Sequence, residues 1–220
     1  MNDPIIPTRA EIASHLVRVL PGVNLHELAR RHGVTVGSGK TLNKGWVGQT
    51  LERVAGLKSN NAQRPDGIDF ELKSTTLLRV GESWKPKETI KVTQLNPQRM
   101  LEETFTTSVL WKKLKALIVV GLEHESTSSC KVVLTQSVDI ENLLLTQEIK
   151  VFWEEVQLRV FHGEMPQFPD FGTSEDLIQL RPVGRGKQWT LCPITGEKFP
   201  ARAFYATKRL IAAILPLNGS

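Results

Sequence analysis

The stretch 64-RPDGIDFELKST-75 decides how this chain is read, because it sets Asp66, Asp69, Glu71 and Lys73 among Ile68, Phe70 and Leu72. Successive side chains of a β-strand point to opposite faces. A strand here turns Asp69, Glu71 and Lys73 to one side and the three apolar residues to the other. The apolar row suits a core, and the polar row suits water or a cleft. The ordinary interpretation is the solvated face of a half-buried strand. The sharper one is a site that hydrolyses phosphodiesters, with carboxylates holding a cation and a lysine steadying the attacking water.

The second interpretation has definite chemical requirements. Mg2+ binds oxygen near-octahedrally and keeps several waters, so one or two carboxylates and a substrate phosphate suffice to hold it. Hydrolysis also needs a water deprotonated and aimed in line, with the charge on the phosphate neutralised. Asp66 just before the strand and Glu71 on it can share a metal. Lys73, two residues beyond, projects on the side of Glu71 and can hydrogen-bond the water. Glu52, near the end of the preceding helix, is a candidate third ligand or a group that orients a bound water.

The rest of the chain supplies context. Its 220 residues are enough for one large domain, or a domain with a modest lobe, around a proper core. Apolar residues at 40% and charged residues at 23% are ordinary for a globular protein. A formal net charge of +5 and a pI near 9.3 favour a polyanionic partner. Cys130 and Cys192 stand far apart, neither in a C-x-x-C pair and with no signal-like segment ahead of them. Reduced, buried thiols in a cytoplasmic protein are therefore expected. No apolar run approaches the roughly 20 residues of a membrane span, so no membrane partner is expected. His15, His26, His32, His124 and His162 show no zinc spacing.

Helical periodicity runs through Thr8–Leu20 and through 24-NLHELARRHG-33, where Asn24 can cap and Gly33 can end the helix. A third helix covers 45-GWVGQTLERVAGLKSN-60, with Val47, Leu51 and Val54 on one side. The intervening "VGSGKTLNKG" lacks the G-x-x-x-x-G-K-[ST] spacing and is expected to be a basic loop without a nucleotide. Strands are predicted around Ile90 and Val92, in "LKALIVVGLEHE" paired with "CKVVLTQ", and in "EDLIQLRPVG". A helix through Ile149, Phe152, Trp153, Val156 and Val160 and a closing helix in "ATKRLIAAILPL" complete the pattern. The expected fold class is α/β or α+β, with a mixed central sheet flanked by helices. The five tryptophans are expected to be packing residues.

The pattern Pro65-Asp66-x4-Glu71-x-Lys73 is that of the PD-(D/E)xK nucleases. "NKGWVGQTLERVAG", "PDGIDFELK", "KETIKVTQL", "TSVLWKKLKALIVVG", "LIQLRPVG" and "FYATKRL" then follow one another in content and order as in the MutH family. That family comprises mismatch-repair nicking endonucleases and related type II restriction endonucleases. The resemblance implies a restriction-endonuclease-like core over a single domain, 1–220, with a catalytic lobe of about 1–110 and a DNA-reading lobe of about 111–220.

It also implies Mg2+ as cofactor, a catalytic set of Glu52, Asp66, Glu71, Lys73 and Lys113, and double-stranded DNA as substrate. Lys113 matches a lysine near the scissile phosphate, with its neighbour Lys112 as the rival. Arg181 and Pro182 fall where the family reads base edges from a loop, and Arg185 and Lys187 lie in the same "RPVGRGK" segment. Tyr205 matches a tyrosine placed near an adenine. Asp69 stands where the family usually has glycine and competes with Asp66 for the metal. A short GATC-like site is the target that the resemblance implies, with Val183 standing where the family has a base-contacting lysine after "RP".

The short step from Asp66 to Glu71 and the "TSVLWKK" block resemble the restriction branch. The leading expectation is thus a sequence-specific restriction endonuclease, with a homodimer on DNA as one arrangement. A repair nickase working with MutL- and MutS-type partners is the alternative. A DNA-binding module without catalysis is the third class, disfavoured by the presence of Asp66, Glu71 and Lys73 together.

Overall fold

The computed structural model describes residues 8–38, 41–57, 69–126, 129–140, 144–168 and 170–217. In chain order these form α1 (Arg9–Val19), α2 (Leu25–Arg31), the short strands β1 (Gly37–Ser38) and β2 (Thr41–Leu42), α3 (Trp46–Val54), β3 (Glu71–Val80) and β4 (Ser83–Pro86). There follow β5 (Ile90–Gln94), α4 (Pro97–Met100), α5 (Val109–Leu114), β6 (Ala116–His124), β7 (Cys130–Asp139) and α6 (Leu145–Phe161). The last elements are β8 (Ile178–Pro182), β9 (Trp189–Leu191), β10 (Lys198–Pro200), β11 (Arg202–Ala206) and α7 (Lys208–Ile214). Two compact units result, one built chiefly from Met1–Lys87 and Ala116–Val138, the other from Glu88–Lys115 and Asp139–Leu217.

The first unit is organised on a four-stranded sheet of order β4-β3-β6-β7. β3 runs parallel to β6, with Glu71 opposite Leu117 and Lys73 opposite Val119, and antiparallel to β4 from Leu77–Pro86 to Val80–Ser83. This is the mixed sheet with flanking helices expected from the sequence. A parallel pair buried on both faces explains why β6 reads as an unbroken apolar run: Ile118, Val119 and Val120 are fully buried. Leu16, Leu20 and Leu25 join Leu51, Phe70 and Ile118 in one core. Each such leucine contributes about 1.5–3 kcal/mol of burial.

Local signals place the helices. Thr8 and Glu11 form a reciprocal capping box at α1, and the Asn24 side chain accepts from the His26 N–H to start α2. Gly33 follows α2 at φ +65°, a conformation that glycine adopts without penalty.

The second unit holds a three-stranded antiparallel sheet of order β5-β11-β8 and a separate β9–β10 ribbon. Trp153 of α6 is buried with Ile149, Val156 and Val160, as its spacing predicted.

Three features differ from the sequence expectations. The quoted strand begins at Glu71 and runs on to Val80, while Asp66 and Ile68 lie outside the described residues. The "LWKK" block is not a lead-in to a strand but the helix α5, whose cap Ser108 accepts from the Trp111 N–H at 3.1 Å. Trp46, Trp111 and Trp153 are buried as expected, but Trp189 is 60% exposed on β9. Alternation on a two-stranded ribbon explains it, since Phe199 of β10 is fully buried on the opposite face.

Candidate active site

Glu71 opens β3 and is almost completely buried, at 1% exposure. Its Oε1 lies 2.6 Å from Lys73 Nζ, and the Lys73 side chain is 25% exposed. Strand alternation brings the two to one face, as the sequence indicated, but this face is not simply wetted. A carboxylate so buried is stable only when paired and hydrogen-bonded, because lone burial of a charge costs several kcal/mol. Lys73 supplies one such partner and keeps its ammonium at the boundary with solvent.

α3 packs against β3 and carries Glu52, which is half-buried. Asp69, two residues before Glu71, is exposed. Among the described residues no three His, Cys, Asp or Glu side chains gather into a metal-holding group. Glu52, Asp69 and Glu71 therefore do not make a three-ligand site by themselves, and Asp66 lies outside the described residues. The donor chemistry still fits a hard cation: Mg2+ needs one or two carboxylates, and Glu71 supplies one beside a lysine suited to a phosphate-bearing substrate.

The remaining candidates belong to the second unit. Lys113 is buried in the last turn of α5, at 8% exposure, whereas its neighbour Lys112 is exposed. Arg181 and Pro182 are not in a loop, as the resemblance implied, but close the strand β8. The cause is pairing with β11, which sets Arg181 opposite Ala203 and Pro182 opposite Arg202. Beyond them Gly184–Gly186 make a single tight turn containing Arg185, with Lys187 exposed at its end.

Gln179 lies opposite Tyr205, and Tyr205 opposite Lys91, so these three share one face of the β5-β11-β8 sheet with Arg181. The Arg181 guanidinium stands over the Tyr205 ring at 4.1 Å and donates from Nη2 to Thr89 Oγ1 at 2.6 Å. Gln179, Lys91 and Thr89 were not singled out from the sequence. Alternation in "IQLRP" would have paired Gln179 with Arg181; nothing local to Thr89 announces a partner in β8.

Outside these groups, Cys130 and Cys192 are free and buried, as expected. Burial pushes the Cys130 thiol up to about 11. Burial together with the charge of His124 lowers His26, which also stacks on Trp46 at a centroid distance of 4.5 Å. No helix among the described residues is long and apolar enough to cross a membrane.

In sequence the chain is similar to the MutH family. The family described as "DNA mismatch repair enzyme MutH" matches residues 55–148, a span that takes in β3, α5 and β6. Among individual relatives, the DNA mismatch repair protein MutH of Shewanella woodyi is 26% identical over 190 residues, covering 84% of this chain and 79% of the relative. The MutH of Haemophilus ducreyi is 28% identical over 209 residues, covering 89% and 88%. A solved restriction endonuclease MvaI–cognate DNA substrate complex aligns over 85% of this chain and 93% of that one, at 13% identity and a TM-score of 0.36. That likeness is too distant to carry fold or activity across.

Proposed function

We propose that the chain is a DNA endonuclease that depends on a divalent metal, and that it nicks one strand of a double-stranded site. The observation that carries this reading is the buried Glu71 paired with Lys73 on β3, inside the span that matches the MutH family. In this reading Glu71 and Asp66 hold Mg2+, with Glu52 as a further ligand or an orienting group. Bound there, the cation supplies Lewis acidity toward the scissile phosphate.

The protein's own contribution follows from the pair. An ammonium has three donors, so Lys73 can keep one on Glu71 and still offer two. One holds the attacking water in line, and the positive charge favours its hydroxide form. Lys113 would balance charge at the phosphate, while Arg181, Pro182, Arg185, Lys187 and Tyr205 would engage the duplex. Mismatch-repair partners of the MutL and MutS type belong to this nicking form.

A second reading, double-strand cleavage by a restriction-type enzyme, is favoured by the five-residue step from Asp66 to Glu71 and by the "TSVLWKK" block. It calls for a cut in each strand, made by a homodimer on DNA or by one site acting on the two strands in turn. The names of the relatives favour the nicking form.

Incubating supercoiled plasmid with the protein and Mg2+, then sequencing the ends, separates the two. Open circles without linear product mean nicking, and linear product with defined ends means restriction. Equal cleavage by wild type and Glu71→Gln overturns both, as does no cleavage by wild type either alone or with MutL- and MutS-type partners added.

A further inference from the structure

Arg181 reaches across a strand to find its hydrogen-bond partner. β11 lies between β5 and β8, and its Tyr205 ring forms the floor beneath the guanidinium. On the far side, Thr89, just ahead of β5, accepts from Nη2 at 2.6 Å. Nε is buried and has no hydrogen-bond partner among the described residues. Among the described residues both N–H groups of Nη1 and the second of Nη2 also have no partner, and they remain for a ligand. The ring fixes the plane of the guanidinium, and the threonine hydroxyl fixes its rotation within that plane. A bidentate contact to guanine O6 and N7 requires two coplanar N–H groups from one edge, held at a fixed angle.

We propose that Thr89 is a positioning residue for Arg181, locking the guanidinium so that its Nη1–Nη2 edge faces the base pair; this rests on the proposed reading of Arg181 as a base reader. Thr89 itself touches no base. It acts by sparing Arg181 the ordering of a long side chain when the duplex arrives, which raises discrimination without adding a phosphate contact.

The test is selection of a preferred sequence from a duplex library with a randomised centre, with Ca2+ in place of Mg2+. Titrations of the preferred duplex and its scrambled counterpart follow. Wild type should select a site containing guanine. Arg181→Ala should lose about 5- to 150-fold in the ratio of the two affinities. Thr89→Val, which keeps the shape and removes the hydroxyl, should lose about tenfold in that ratio, with scrambled-duplex binding and Tm unchanged.

Thr89→Ser, which keeps the hydroxyl, should restore wild-type discrimination. In an Arg181→Ala background, Thr89→Val should add nothing. If valine disturbs the fold, Thr89→Ala gives the same reading by trimming alone. Wild-type discrimination in the Thr89 variants, with Arg181→Ala impaired, overturns the positioning role and leaves Arg181 as the reader. A further loss in the double variant also overturns it. Wild-type discrimination in Arg181→Ala overturns the base-reading assignment and the inference with it.

Discussion

On β3 and on β8 the protein holds a side-chain cation in two different ways. Lys73 finds Glu71 two residues away on the same strand face, a full charge against a full charge at 2.6 Å. Arg181 is held by a ring and a neutral hydroxyl, the latter from a residue 92 positions distant. The first arrangement cancels charge, so the buried carboxylate is stable and the pair resists rearrangement. In the second no carboxylate among the described residues pairs with the guanidinium, which is oriented and open to an electron-rich partner. In the proposed reading, the group meant for chemistry and the group meant for recognition thus carry different signatures. The former is paired locally, and the latter is positioned from afar.

The largest effect expected lies on β3. Glu71→Gln and Lys73→Ala should each lower cleavage by roughly 10²–10⁴, as for lost proton-transfer assistance, while fluorescence anisotropy with duplex DNA stays near wild type. Full cleavage by Lys73→Ala would erase the contrast between the two strands. Asp66→Ala should abolish cleavage and the exposed Asp69→Ala should be mild. The reverse pair of results would move the metal aspartate to Asp69.

On β8 the effect is smaller and selective. Arg181→Ala should cost about 1–3 kcal/mol of discrimination between cognate and scrambled duplexes. Lys187→Ala should instead weaken both equally and reduce the salt slope by about one. Equal losses on both duplexes for Arg181→Ala would turn β8 into a backbone clamp.

A control for the sheet beneath Glu71 comes next. A Cβ on Gly121 of β6 would stand 2.6 Å from Leu77 Cδ1 and 2.8 Å from Leu134 Cγ. Gly121→Ala should therefore cost about 1–3 kcal/mol, read as a lower Tm. An unchanged Tm would mean that the β3–β6 layer is looser than its packing implies.

The smallest effect concerns Cys130. Its folded thiol is raised to about 11 from an ordinary 9.0. The neutral thiol thus contributes stability that is whole below pH 9 and is lost as pH climbs toward 11. Denaturant midpoints for wild type and Cys130→Ala should converge over that window, and parallel curves would refute the shift.

How much of this could be read in advance depended on distance along the chain. Glu71 and Lys73, the Asn24 cap and Gly33, and the apolar face of α6 are set by residues within one or two turns, and all were legible. The degree of burial of Glu71 was not. Alternation tells which face a residue takes but not how deeply the rest of the fold covers that face. β11 escaped because "RAFYA" is short and its neighbours β5 and β8 come from far away in sequence. Tyr205 entered through resemblance, and Thr89 not at all, since its role exists only after three strands have assembled. The helical nature of "LWKK" was hidden by the apolar strand that follows without a break.

The way the two units share the chain also bears on the order in which the protein can be made. β3 needs β6 as its parallel neighbour, yet β6 is synthesised only after Glu88–Lys115 of the other unit have emerged. A nascent chain halted at Lys87 has Glu71 and Lys73 but lacks Leu117 and Val119 against which they register. β3 is therefore translated early and completed late. In the proposed reading, a product truncated at Lys87 lacks the completed cleavage site.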